Sequence, residues 1–155
     1  MNIVCKVIPE SQMRPQVSGA DWFFDKKGDL QVRVSPMSDW RYEVALMLHE
    51  LFEAILWKQR HGTSVSEVDR FDQLYYETHE DDLDAGDERG CPYRKEHCLA
   101  TAAERILSAE LGIVWSEYDE ELATAYPGPA AVRKAKAKGN RVRPQTSARK
   151  PKARP

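Results

Sequence analysis

His49, Glu50 and Glu53 interrupt an otherwise apolar stretch that runs from Ala45 to Trp57. His49 and Glu53 are four apart, so a helix stacks them on one face, and Glu50 lies about 100° round from His49. This is the layout of H-E-x-x-H, in which two ligands four apart hold a metal and the intervening Glu works on its water. Here Glu53 stands in place of the second His, and a carboxylate also ligates zinc. A catalytic zinc takes three protein ligands and leaves a position for water, so a third ligand must come from another element. His97 is the first candidate, with Glu104 and Glu96 behind it. Glu50 is then the general base, and Tyr93 or Arg94 are candidates to steady an oxyanion. The plainer alternative is a core His hydrogen-bonded to a neighbour, with the two Glu on a half-solvated stripe.

Several elements must position these residues. Residues 2–8 read as a strand ended by Pro9. Asp21–Asp25 and Leu30–Val34 read as a β-hairpin, with Gly28 in the turn and Leu30, Val32 and Val34 alternating with polar residues. Ser38 or Asp39 can cap a helix from about Trp40 to Arg60 that Gly62 stops. With His49 at zero on a 100° wheel, Tyr42, Glu53 and Leu46 fall at about 20°, 40° and 60°. Val44, Met47, Leu48, Leu51, Phe52, Ala54 and Ile55 fill most of the rest. A helix apolar nearly all round is expected to be buried. Buried carboxylates on it need a metal, cations or hydrogen bonds.

Ser64-Val-Ser-Glu67 fits a capping box opening a second helix to about Thr78, with Val65, Val68, Phe71, Leu74 and Tyr75 facing inward. Residues 77–88 form an acidic loop. Pro92 suits the start of a third helix, roughly Tyr93 to Leu111, closed by Gly112. One of its faces carries Leu99, Ala102, Ala103 and Ile106; another carries His97, Thr101, Glu104 and Ser108. That polar face either points at the first helix or is a solvated stripe. Ser116–Asp119 can start a fourth helix that ends before Pro127.

Other chemistries fit the same residues less well. Cys91, His97, Cys98 and His79 lack the C-x-x-C spacing of a structural zinc site. Glu50, Glu53, Glu96 and the acidic loop resemble the Mg²⁺ clusters of all-α nucleotide pyrophosphohydrolases, against which the hairpin and the central His argue. The acidic loop lacks the regular spacing of a Ca²⁺ loop.

The chain has 155 residues and a formal net charge of −2, which conceals an asymmetry. Residues 127–155 hold ten Lys/Arg and no acid, whereas residues 1–126 hold 13 basic and 25 acidic side chains, a net of −12. The expected organisation is therefore a domain over 1–126 and a flexible basic tail over 127–155. Arg133, Lys134, Lys136, Lys138, Arg141, Arg143, Arg149 and Lys150 are candidates for non-specific contact with nucleic acid or another polyanion. No aromatic residue follows Tyr126, so base stacking is not expected there. No apolar run is long enough to span a membrane, no secretory signal is evident, and three cysteines make no disulfide framework, so the expected setting is the cytoplasm.

Two resemblances bear on the same residues. The order strand, hairpin, then Leu-His49-Glu50-Leu-Phe-Glu53-Ala looks like the minimal core of the zincin metallopeptidases. Gly86-Asp87, Pro92-Tyr93-Arg-Lys-Glu96-His97 and Ala100-Thr-Ala-Ala-Glu104-Arg105 resemble segments of small phage and prophage proteins that carry a His-Glu-x-x-Glu-Ala helix. The likeness covers roughly residues 30–120. It implies metal-dependent hydrolysis of a peptide or protein substrate through His49, Glu50 and Glu53, in a host cytoplasm. The expected fold is α+β: a small antiparallel sheet of one strand and a hairpin, packed on three to four helices. The expected function is a zinc-dependent, metallopeptidase-like hydrolase. The alternative is a non-catalytic accessory protein whose tail contacts nucleic acid or a host or virion complex.

Overall fold

A computed structural model describes residues 1–14, 19–79 and 84–125. Three strands open the chain: β1 (Ile3–Val7), β2 (Ala20–Phe24) and β3 (Leu30–Val34). Four helices follow: α1 (Trp40–His61), α2 (Ser66–Thr78), α3 (Arg94–Glu110) and α4 (Trp115–Ala125). Short 3₁₀ turns lie at Glu10–Gln12 and Ala85–Asp87. The architecture is α+β, as the order of elements in the sequence suggests. The tail residues from Arg133 to Lys150 lie outside the described residues.

The sheet order is β1-β3-β2, and its strands are not all antiparallel. β2 and β3 form the hairpin, paired from Ala20 with Val34 to Phe24 with Leu30. Gly28, with φ 78°, makes the turn that an L side chain would strain. β1 instead pairs parallel with β3, Ile3 opposite Leu30 and Val7 opposite Val34. The chain between β1 and β2 is long enough to carry β2 across to the far edge, so β1 takes the free side of β3 in the same direction. Leu30, Val32 and Val34 alternate inward and are fully buried against the helices.

Asp39 caps α1, its carboxylate accepting from the Arg41 amide at 2.9 Å. Gly62, at φ 85°, ends the helix with its N–H on the Lys58 carbonyl. α1 is not buried all round: Val44, Phe52 and Ile55 are exposed on one side. The capping box expected at α2 does not form. The Trp57 indole donates to the Ser64 carbonyl at 2.8 Å, and Ser64 Oγ meets Ser66 Oγ. Helix α2 therefore starts only at Ser66, too late for Ser64 to cap it. Val68 and Tyr75 are its buried residues, and Leu74, expected inside, is exposed.

Of the two placements left open for the polar face of α3, the one toward α1 is found. The buried residues of α3 are Glu96, His97, Ala100, Glu104 and Ser108, while Leu99 and Ile106 face outward. α3 lies antiparallel along α1: Arg60 pairs with Glu96 near one end, His49 with Glu104 in the middle, and Arg41 Nη1 donates to the Leu111 carbonyl at the other. Polar groups on the facing stripes satisfy one another, so the polar face of α3 turns inward. Apolar packing continues on either side of this layer. Trp22, Leu30, Val32, Ala54, Trp57, Val68, Cys91 and Tyr93 form one cluster. Val34, Tyr42, Ala45, Leu46, Ile113 and Tyr118 form the other. Along α1, His49 and Glu53 fall between the two clusters. Among the described residues, no helix is long and apolar enough to cross a membrane.

Candidate metal centre

The spacing along α1 stacks His49 over Glu53, and α3 carries His97 to the same place. His49 Nε2 lies 3.1 Å from Glu53 Oε1 and 3.2 Å from His97 Nδ1, and His97 Nδ1 lies 2.7 Å from Glu53 Oε1. Three atoms from three side chains thus form a small triangle, with relative exposures of 8% for His49, 5% for Glu53 and 6% for His97. Ligands at about 2.0–2.1 Å from a tetrahedral zinc stand about 3.3–3.4 Å apart. The triangle is slightly tighter than that, and a small outward movement of Glu53 Oε1 would bring it to size. This buried His-Glu-His group could hold a metal ion.

The outer atom of each ligand has its own neighbour. His49 Nδ1 donates to Glu104 Oε2 at 2.9 Å. Glu53 Oε2 accepts from the Trp22 indole at 3.0 Å. His97 Nε2 lies 3.5 Å from Asp87 Oδ1, in the 3₁₀ turn Ala85–Asp87. In the neutral tautomers that a metal would require, with the outer nitrogens protonated toward carboxylates, the rings would turn lone pairs inward at His49 Nε2 and His97 Nδ1. These two lone pairs and Glu53 Oε1 then converge on one point. Three acceptors within about 3 Å of one another need a cation between them, a proton or a metal.

Electrostatics at the group follows from the same contacts. Burial works against a charged His49, but hydrogen bonds to Glu104 and Glu53, with the charges of Glu53 and Glu50, outweigh it and raise the imidazole well above its usual value. His97 is raised likewise: burial opposes its charge, and the Glu53 hydrogen bond with the Asp84 charge overcomes it. Burial would raise Glu53, yet the hydrogen bonds from both imidazoles and their charge bring its carboxyl down to about 2. Glu50 is different. It is part-buried and makes no hydrogen bond or ion pair among the described residues. Burial, and then the charge of Glu53, push its carboxyl well up. Tyr118 is raised as well, by burial and by Glu104, and its hydroxyl donates to Glu104 Oε1.

Other candidates named from the sequence lie elsewhere. Glu96 is buried but faces the end of α1, paired with Arg60 and 3.9 Å from His61 Nε2. It does not join the His-Glu-His group. Glu104 braces His49 through its outer nitrogen and does not belong to the triangle. Tyr93 is engaged with α2, its hydroxyl donating to Asp72 Oδ1 at 2.7 Å, and Arg94 Nε donates to the Asp87 carbonyl at 3.3 Å on the surface. Neither is seen bonded to the group. Cys91 is buried and Cys98 exposed as free thiols; His79 stacks on Tyr75. None of the three joins a metal-ligand group among the described residues.

Two supporting residues were not evident from the sequence, nor was the contact of a third, Gly86. Trp22 and Tyr118 are aromatic residues that read as core, and only their polar atoms give them a role. Gly86 lies against His97 so closely that a Cβ there would meet ring atoms Cγ and Nδ1 at 2.5 Å. A glycine beside an acidic turn was the available signal. Comparison with family models, with curated proteins and with solved structures finds no match to the chain.

Proposed function

We propose that the chain is a zinc-dependent hydrolase in which His49, Glu53 and His97 hold the metal and Glu50 is the general base. The observation that carries this reading is the convergence of His49 Nε2, Glu53 Oε1 and His97 Nδ1, with the outer atoms of His49 and Glu53 hydrogen-bonded and His97 Nε2 3.5 Å from Asp87 Oδ1. Metal-ligating histidines characteristically donate their other N–H to a carboxylate in this way. Two imidazoles and one carboxylate form a zinc donor set that leaves a fourth position open. Zinc in such a setting supplies Lewis acidity to a scissile carbonyl and makes the attacking water more acidic. The chain's own residues do the rest. Glu104 keeps His49 in the tautomer that turns Nε2 inward, and Trp22 fixes the plane of Glu53. Glu50, one position from His49 and without a partner among the described residues, takes the proton from the attacking water and delivers it to the leaving amine. A peptide or protein substrate follows from the resemblance to the zincin helix.

A second reading, a structural metal in a non-catalytic accessory protein, draws support from the low exposure of all three ligands. Metal analysis of the purified full chain is the first test. One zinc per chain is expected, lost in His49→Ala and Glu53→Ala. No bound metal, with the melting temperature unmoved by a chelator, would end both readings. Stoichiometric zinc without hydrolysis of any peptide in a mixed library would favour the accessory protein.

A further inference from the structure

Resting on the metal reading above, the geometry points to Tyr118 of α4 as a positioning residue for the ligand His49, acting through Glu104. Tyr118 is fully buried, and its hydroxyl donates to Glu104 Oε1. The other carboxylate oxygen, Oε2, accepts from His49 Nδ1 at 2.9 Å. Each oxygen of Glu104 is thus assigned to one partner. With Oε1 engaged by a hydroxyl, Oε2 presents its lone pairs to the imidazole in a fixed plane. That holds the proton on His49 Nδ1 and keeps Nε2 free toward Glu53 and His97.

The ring that carries the hydroxyl is itself wedged. Its centroid is 5.1 Å from that of Tyr42 on α1 and 5.4 Å from that of Trp115, the latter edge-on at 80°. Trp115 lies under the guanidinium of Arg105, 4.1 Å from its ring centroid. The tilted and edge-on ring contacts leave the Tyr118 hydroxyl little freedom to leave Glu104. A helix with no residue in the His-Glu-His group thereby sets the orientation of one ligand. A second tether, from the Ser38 amide and hydroxyl to Glu121, holds α4 without touching Glu104. The two contacts can therefore be separated.

The test uses the full chain and zinc alone, in competition with a chromogenic chelator. Tyr118→Phe keeps the ring and removes the donor. Zinc affinity is expected to fall by about 10- to 100-fold, as when the partner of a metal-bound His is lost. In ¹⁵N-resolved NMR of the imidazoles, the Nδ1–H pattern of His49 is expected to be lost in parallel. Ser38→Ala, which loosens α4 elsewhere, is expected to keep near-native affinity and the native His49 pattern. Wild-type zinc affinity in Tyr118→Phe, or an equal loss in Ser38→Ala, would overturn the proposal and leave the metal reading standing. An unsubstituted chain that binds no zinc would remove both. Should Tyr118→Phe not fold, the zinc-bound unsubstituted chain decides: protonation of His49 at Nδ1 supports the proposal, and protonation at Nε2 overturns it.

Discussion

Glu50 and Glu53, three residues apart on α1, are pushed in opposite directions. Glu53 sits between two imidazoles and falls to about 2. Glu50, part-buried beside Glu53 and without a partner among the described residues, is driven well up. Two carboxylates whose environments separate them in this way suit different tasks, one a permanent ligand and the other a proton carrier. Glu50→Gln is accordingly expected to retain stoichiometric zinc, because the amide removes no ligand. Its hydrolytic rate is expected to fall by about 10²- to 10⁴-fold. In the unsubstituted protein kcat/KM should rise with pH as Glu50 loses its proton, and that rising limb should vanish in the variant. A Gln variant with an unchanged rate and profile would rule Glu50 out as the base. At this scale the sequence was informative where spacing sufficed: four residues from His49 to Glu53 define one face of a helix. His97 could be nominated from its place near the start of the third helix but not located. Trp22 and Tyr118 were opaque, because an aromatic residue at a core position looks the same whether or not its N–H or O–H supports a ligand.

Between elements, the His-Glu-His group depends on how the turn Ala85–Asp87 and the helices α2 and α3 meet. Gly86 lets this turn lie flat on the His97 ring, since a Cβ would stand 2.5 Å from its Cγ. Gly86→Ala must displace either the turn or the ligand. A cost of about 1–3 kcal/mol in stability is expected, as for overpacking generally, with zinc affinity reduced at least tenfold. Denaturant unfolding and zinc competition measure the two effects; unchanged affinity would show that His97 is not held by this contact. Helix α2 meets α3 through Asp72 and Tyr93, with the phenol donating to the carboxylate. Burial, chiefly, raises Asp72 to about 7 despite that bond. The folded state thus binds the Asp72 proton more tightly than the unfolded state. The resulting stability is present at acid pH and lost as pH rises through about 7. Asp72→Asn keeps an acceptor for Tyr93 and removes the charge. It should stabilise the chain above pH 7 by at most about 4 kcal/mol, at about 1.36 kcal/mol per pKa unit, and by little near pH 4. Urea midpoints at the two pH values test this; equal gains at both would refute it.

The bounds of α1, the presence of the hairpin and the glycine stops could be read from periodicity and turn residues; the hairpin register could not, since β2 is Ala20–Phe24 rather than Asp21–Asp25. The orientation of α3 could not be read in the same way. A hydrophobic face is ordinarily assigned inward, and Leu99 and Ile106 supplied one. In α3 the inward face is instead set by pairing with the polar stripe of α1, a contact between distant segments that no local pattern contains. The parallel pairing of β1 with β3 is likewise a property of the long connection and not of either strand.

Across the whole molecule, the His-Glu-His group is where separate parts of the fold meet. Trp22 brings in β2, His49 and Glu53 belong to α1, His97 and Glu104 to α3, Asp87 to the turn before it, and Tyr118 to α4. A ligand that binds this arrangement and not the unfolded chain should stabilise all of it together. At free zinc 1,000-fold above Kd the gain is about 4 kcal/mol, or on the order of 10 °C in Tm for a domain of this size. The pH dependence has a definite sign. His49 and His97 are raised on folding, so in the zinc-free chain their contribution is full below about pH 6.5 and is lost as pH rises. Glu50 is raised too and acts in the same direction. Glu53 is lowered, so its contribution is full above about pH 4.5 and lost as pH falls toward about 2. Because the raised carboxyls Glu50 and Asp72 already begin to lose their contribution above about pH 4.5, the chelated protein should be most stable near pH 4.5 and less stable on either side. Zinc must displace the protons that hold the acceptors together in its absence, so its effect should grow as pH rises. Thermal melts from pH 4 to 9, with zinc and with chelator, should diverge above pH 6.5 and converge at the acid end. Curves that stay parallel across that range would mean that zinc, if bound, is not bound by these histidines.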